Sequence, residues 1–269
     1  MKTGIIGYGS MGKMLLWKFS EAGALSKEEL FVSNRTIEKL AEASPAAVIC
    51  KDNKELAKNS DIIFVCVRPS DLKDVLCEIK DDLKPGSLLV SLNGSISFDL
   101  LSKITPRKMA KVIPGVTAEI NRSQTLICFT ELVDEHSKKM LISLLSCIGD
   151  VIELPESEMG MGSELVSCMP GFIASIFDVL CRSGKKHTEI PMDQIVKMVL
   201  NTMGATAELM LRSGMSFEEV VERVATKGGI TAEGTKVIYE MFPAAADTLF
   251  EKTLEKRRII SENAKKSFS

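Results

Sequence analysis

The sequence predicts an α/β fold in two parts, a parallel-sheet domain over residues 1–155 and an all-helical domain over 156–269. Three observations carry it. A glycine-rich turn joins the first strand to the first helix. Strand and helix patterns then alternate as far as Leu154. After Pro155 the strand patterns stop and only helical periodicity remains.

The turn organises the chain. Lys2 to Ile6 reads as a short buried strand, and Gly7-Tyr8-Gly9-Ser10-Met11-Gly12 follows at once. This is the Gly-x-Gly-x-x-Gly turn of a Rossmann-type dinucleotide-binding unit. Gly7 allows the tight turn, Gly9 lets a pyrophosphate approach the backbone, and Gly12 lets helix and sheet pack closely. The helix that opens at Ser10 and Met11 offers free N–H groups to phosphate. Met11, Met14, Leu15, Phe19 and Ala22 give it an apolar face.

A second strand spans Leu30 to Ser33. Asp61 to Val67 is a nearly continuous apolar run, as a central parallel strand requires. Ser70 is placed to cap the next helix, whose apolar face is Leu72, Val75, Leu76 and Ile79. Pro85-Gly86 turns into a strand over Ser87–Leu92. Met109–Ile113 and Thr125–Phe129 are further strands. A helix over Asp134–Cys147 precedes a last strand, Val151–Leu154. In the second half the helical patterns cover about 158–186, 191–213, 216–225, 231–241 and 245–266. Ser183-Gly184, Pro191, Ser213-Gly214, Gly228-Gly229 and Pro243 break them.

Composition narrows the function. Lys plus Arg number 34 and Asp plus Glu 36, so no charge excess points to nucleic acid. No apolar run reads as long enough for a membrane span, and a cytoplasmic location is expected. The seven cysteines never form Cys-x-x-Cys and sit mostly in apolar runs, which favours buried free thiols. With only two histidines, no metal site is expected.

The cofactor is read at the end of the second strand. NAD-binding units place an acid there to hold the ribose hydroxyls. Here the residues are Ser33-Asn34-Arg35-Thr36. Ser33 and Asn34 can donate to phosphate, and Arg35 can pair with it, which points to NADP(H). Chemistry also collects at Thr226-Lys227-Gly228-Gly229-Ile230-Thr231. Paired glycines before a helix can form a carboxylate-sized nest of N–H groups. The same residues also suit an ordinary inter-helix turn capped by Thr231.

These motifs together resemble the pyrroline-5-carboxylate reductase family along the whole chain. Gly7 to Gly12 match its fingerprint, and Ser33-Asn34-Arg35 resembles its NADP-selecting segment. Asn53-Lys54-Glu55 matches a segment whose Asn contacts the cofactor. Val67-Arg68-Pro69 resembles its Val-Lys-Pro element beside the nicotinamide, and Ser91 to Ser97, with Asn93, fall at its Ser-x-Ala-Ala-Gly-Ile. Val112-Ile113-Pro114 fall at Met-Pro-Asn-Thr-Pro, Val166 to Phe172 at Ser-Gly-Ser-Gly-Pro-Ala-Tyr, and Lys227 to Thr231 at Pro-Gly-Gly-Thr-Thr. The departures gather on the substrate side, at Gly115, Ser167-Cys168-Met169, Lys227 and Ile230. Those residues resemble the late-competence branch, ComER.

The resemblance implies hydride transfer from NADPH to the C=N bond of 1-pyrroline-5-carboxylate, giving L-proline, in a homodimer or larger assembly built through the helical domain. It implies that Thr231 hydrogen-bonds the ring nitrogen. The N–H groups of Gly229 and Ile230 and the Thr226 hydroxyl would hold the carboxylate. Lys227 either pairs with that carboxylate or points to solvent. Two other readings compete. The β-hydroxyacid dehydrogenases need a catalytic Lys on the first long helix, and Ser163 to Ser175 contain none. A non-catalytic NADP-binding regulator would explain the altered substrate-side residues.

Overall fold

The computed structural model describes residues 1–268. Strands β1 (Thr3–Ile6), β2 (Leu30–Ser33), β4 (Ile62–Val65) and β5 (Leu88–Ser91) are buried at every position, which is why they read as mostly apolar runs. With β3 (Val48–Ile49), β6 (Lys108–Ile113), β7 (Ser123–Phe129) and β8 (Gly149–Glu153) they form one eight-stranded sheet. Its order is β3-β2-β1-β4-β5-β6-β7-β8. β1 pairs in parallel with β2 and with β4, so the glycine turn leaves the sheet where the strand order reverses.

The sheet is mixed, which corrects the all-parallel expectation. β7 runs antiparallel to β6, with Val112 opposite Ile127. The connection is too short for a parallel crossover. Residues 114–122 hold only a 3₁₀ turn, Val116–Ile120, and Asn121 in the left-handed region. The two-residue strand β3 was also not anticipated. The chain reaches it through a 3₁₀ helix, Ile37–Ala43.

Helices α1 (Ser10–Glu21), α2 (Asn53–Asn59), α3 (Pro69–Ile79), α4 (Phe98–Ser102) and α5 (Glu135–Leu145) cover the sheet. One face packs Leu15, Leu16 and Phe19 of α1 with Leu141, Leu144 and Leu145 of α5. The other packs Leu56, Leu72, Leu76, Leu101 and Met159, and is completed by Ala264 from the end of the chain. In α1 the buried side is Gly12, Leu15, Leu16 and Phe19, and Ala22 is instead the C-cap. Ser70 does not cap α3. Arg68 holds the cap position with Pro69 in the first turn, where its missing N–H costs nothing, and the Ser70 hydroxyl turns to Asp71.

The helical half comprises α6 (Met159–Ser163), a π turn (Glu164–Cys168), α7 (Met169–Lys185), α8 (Met192–Ser213), α9 (Phe217–Val224) and α10 (Ile230–Phe268). The break expected at Pro243 is absent, because Pro243 lies inside α10. A helical proline removes one hydrogen bond and crowds the carbonyl four residues back. That residue, Tyr239, is exposed, so water can take its carbonyl.

Two compact units result. One is Met1–Cys168 with Leu254–Ser269, and the other is Met169–Thr253. The division differs from residue 155 because Glu156 and Glu164 both make ion pairs within the first unit. The membrane expectation is also corrected. Among the described residues one helix, Glu156–Lys185, is long and apolar enough to cross a bilayer by length and composition alone, with a mean hydropathy of 1.6 over its most apolar stretch. From Leu165 to Leu180 its only charge is Asp178, spacing that the single acid did not make obvious.

All seven cysteines are free. Cys50, Cys128 and Cys181 are buried and Cys77 is exposed. Burial, together with the charges of Glu55 and Asp52, pushes the Cys50 thiol up to about 12, so it behaves as an inert apolar group.

Candidate functional site

The carboxyl edge of the parallel strands carries a groove of about 530 Å³. Gly7, Gly9, Asn34, Arg35, Asn53, Val67 and Arg68 all line it. Gly7 has φ +96, and a Cβ there would lie 2.7 Å from the Cys66 carbonyl oxygen. A Cβ on Gly12 would lie 2.0 Å from the Gly7 carbonyl oxygen, so α1 can start only against a bare backbone. Gly9 has no atom within 4 Å of that position, which leaves room for a phosphate. The three glycine roles are therefore distinct in the geometry, as the motif requires. Ser10 and Gly9 line an adjoining pocket of about 500 Å³. Met11 and Pro69 do not line the groove.

Two polar side chains expected at the cofactor also tie the frame together, and one of them, Asn34, lines the groove. The Ser33 hydroxyl is buried and donates to Asn53 Oδ1 at 2.8 Å. Asn34 Oδ1 accepts the Tyr8 N–H at 3.0 Å, and its amide donates to the Thr36 carbonyl at 2.9 Å. Asn34 thus ties the end of β2 to the glycine turn. Asn53 donates to Glu78 at 2.8 Å, which fixes its orientation on the groove wall. Asn93 reaches the groove indirectly, by donating to the Val67 carbonyl at 3.1 Å.

Arg35 is free of such ties, with no ion pair or hydrogen bond from its side chain among the described residues. Lys39 lines the same groove, is exposed, and is likewise unpaired. Two unneutralised cations beyond the end of β2 suit a dianionic phosphate. Lys39 was missed in the sequence because it lies past the motif. It belongs to a 3₁₀ helix rather than an α-helix, and the tighter three-residue turn brings it under Thr36, whose carbonyl accepts its N–H at 3.3 Å. Asp71, Asp74 and Glu78 line the α3 side together with Arg68, and Lys51 and Asp52 line the end of β3.

The second unit carries the Thr226–Thr231 turn. Gly228 adopts φ +74, and the Gly229 N–H donates to the Thr226 carbonyl at 2.8 Å. That corrects one expectation, since the Gly229 N–H closes the turn and is not open to an anion. The Gly229 carbonyl accepts from Glu233, which starts α10. The N–H groups of Ile230, Thr231 and Ala232 are then the unpaired donors of a helix N-terminus. Ile230 is 95% exposed, and Thr226, Lys227 and Thr231 are exposed with no hydrogen bond from their side chains among the described residues. A Cβ on Gly229 would lie 2.5 Å from the Thr226 hydroxyl, so that hydroxyl sits against the glycine.

A further feature had no sequence signal. Glu164, in the π turn, is 2% exposed, and Arg257 of α10 donates to its Oε1 through Nε at 3.0 Å and Nη2 at 2.7 Å. Nη2 also donates to the Ser163 hydroxyl at 3.1 Å. The Cys168 thiol is pushed up by burial and by the Glu164 charge, so it stays protonated beside this pair. The carbonyl of Val166 approaches Gly115, where a Cβ would lie only 3.1 Å away, which accounts for glycine at that departure from the reductase pattern.

Comparison with known proteins accords with this architecture. The family model described as NADP oxidoreductase coenzyme F420-dependent matches residues 2–94. The one described as pyrroline-5-carboxylate reductase dimerisation matches residues 156–259. Pyrroline-5-carboxylate reductase 3 of Bacillus subtilis is 32% identical over 268 residues, covering 98% of each chain. ComE operon protein 4 of the same organism is 25% identical and covers 88% of each. The crystal structure of Plasmodium falciparum pyrroline carboxylate reductase with NADP bound superposes with a TM-score of 0.84 at 23% identity, over 100% of this chain and 98% of that one.

Proposed function

The chain belongs to the pyrroline-5-carboxylate reductase family, and from that premise we propose that it reduces the C=N bond of 1-pyrroline-5-carboxylate with NADPH, giving L-proline. The observation that carries this reading is the likeness to a reductase over 98% of both chains. NADPH oxidation on addition of pyrroline-5-carboxylate is the test. No rate above background would leave the regulatory reading.

NADPH, when bound, supplies the hydride. The backbone at Gly7 and Gly9 and the start of α1 hold its pyrophosphate, and Arg35 and Lys39 hold the 2′-phosphate. Asn53, Val67 and Arg68 complete the groove wall, and Asn93 keeps Val67 in place. The free N–H groups of Ile230 and Thr231 hold the substrate carboxylate, helped by the partial positive charge at the start of α10. The Thr231 hydroxyl hydrogen-bonds the ring nitrogen. No strong acid is needed, because a protonated cyclic imine is already a good hydride acceptor and orientation supplies the rest.

Thr231→Val removes the hydroxyl and keeps the shape. It should lower kcat/KM about ten- to a hundredfold, the worth of one hydrogen bond to the reacting group, with NADPH affinity unchanged. A fully active variant would refute the assignment to Thr231. Gly229→Ala acts differently, by displacing the Thr226 hydroxyl from its seat. It should raise KM more than it lowers kcat, and steady-state kinetics separate the two.

The working unit is a homodimer or larger, in the cytosol. Leu211 on α8 is 76% exposed, and Met198, Leu200 and Leu209 are exposed with it. Val237, Ile238, Met241 and Phe242 add apolar surface on α10. Exposed apolar area on this scale is the mark of an interface. Light scattering at micromolar protein should give at least twice the chain mass. A monomer would overturn the proposal.

A further inference from the structure

The nucleotide groove has one wall that the phosphates of a dinucleotide do not explain. Asp71, Asp74, Val75 and Glu78 line it from α3. They follow one another at three- and four-residue steps, so they share one face of that helix. A carboxylate beside a polyanion is unfavourable by Coulomb repulsion, so each acid needs its own reason to be there.

Two of the three have one. Asp71 lies in the first turn of α3, where the helix dipole favours an acid, and it accepts the Ser70 hydroxyl at 3.2 Å. Glu78 accepts the Asn53 amide at 2.8 Å and so holds that side chain on the wall. Asp74 has neither role. It sits within the helix, where aspartate is a poor helix former. It is exposed, and among the described residues no hydrogen bond or ion pair reaches its side chain. Lys51 and Arg68 also border the groove, and neither pairs with it. Asp74 is an acceptor that lacks a donor.

Apolar surface accompanies this acceptor. Val75, next to it on α3, is half-buried. Ile37 lines the groove from the segment after β2 and is 50% exposed. Apolar side chains with one convergent polar group suit a flat ring that carries a donor on its edge. Adenine is such a ring, being uncharged, with apolar faces and an exocyclic amino group that donates. The phosphates of NADP(H) already have partners elsewhere, at the glycine turn and at Arg35 and Lys39.

We propose that Asp74 selects the adenine base of NADP(H), its carboxylate accepting a hydrogen bond from the exocyclic amino group while Ile37 and Val75 cover the ring. This rests on the NADP(H) reading of the groove. A purine with a carbonyl in place of that amino group turns an acceptor toward the carboxylate, and a mismatch of that kind is what makes a polar site selective.

The test is calorimetric binding of NADP⁺ and of its deamino analogue, nicotinamide hypoxanthine dinucleotide phosphate, to the full chain. NADP⁺ should bind about tenfold more tightly, the worth of one hydrogen bond to a charged group. Asp74→Asn supplies an amide that donates to the carbonyl as readily as it accepts from the amino group, so the preference should fall to within about threefold. Ile37→Ala should weaken both nucleotides by a similar factor and keep the preference, because the ring faces carry no edge information. Both positions are exposed, so neither substitution opens the core. Equal affinity for the two nucleotides in the parent protein would overturn the proposal. So would an unchanged preference in Asp74→Asn, with or without an equal loss of both affinities, or unchanged affinities in Ile37→Ala. Failure to bind NADP⁺ at all would overturn the cofactor reading together with it.

Discussion

Replacing Arg257 with alanine is expected to cost about 3–5 kcal/mol of folding stability, the usual penalty for leaving one partner of a buried ion pair alone. Glu164 is 2% exposed and takes two hydrogen bonds on one oxygen from Arg257, while its other oxygen has no partner among the described residues. Without the guanidinium that carboxylate has no counter-charge and little water. Glu164→Gln should be milder, because Arg257 is 22% exposed and can reach solvent. Glu164→Leu with Arg257→Met removes both charges and should recover most of the loss. Urea unfolding measures all of this. A loss under about 1 kcal/mol for Arg257→Ala would show that the pair is not the anchor described.

Replacing Arg35 and Lys39 together with alanine should weaken NADPH binding by about 2–4 kcal/mol and leave NADH nearly unchanged. Neither side chain has a partner to lose in the unliganded protein, so the change is confined to the bound state. Each single variant should lose part of this. The sum need not equal the double, because both cations address one phosphate and sit close enough to couple. Equal losses for both cofactors would mean that these residues hold the pyrophosphate or adenine rather than the 2′-phosphate.

Much of this was legible in the residues. The glycine turn predicted its own geometry because each glycine answers a steric demand that only a missing Cβ meets. The central strands were legible because burial on both faces keeps most of their positions apolar. What escaped depends on partners distant in sequence. Ser33 and Asn34 have the chemistry to bind phosphate, but the Ser33 hydroxyl donates to Asn53 and the Asn34 amide donates to the Thr36 carbonyl. The direction of β7 was set by the length of a connection rather than by any pattern within the strand. Pro243 read as a stop because its local penalty is real, yet the penalty is small beside a helix spanning Ile230–Phe268. The Glu164–Arg257 pair joins positions so far apart that nothing in either neighbourhood announces the other.

The return of α10 to the first unit bears on how the protein is made. Ala264 closes one face of the sheet, and Arg257 neutralises a carboxylate buried beside it. Both follow the helices from Met169 to Thr253 in the chain and are synthesised after them. A nascent chain can therefore pair its early strands long before it can seal them, and one face must wait, partly uncovered, while the helices from Met169 to Thr253 are synthesised. Completion of the nucleotide-binding half is thereby tied to synthesis of those helices. A chain ending before Leu254 would lack the parts that finish that half, and so would be a natural target for chaperones and proteases.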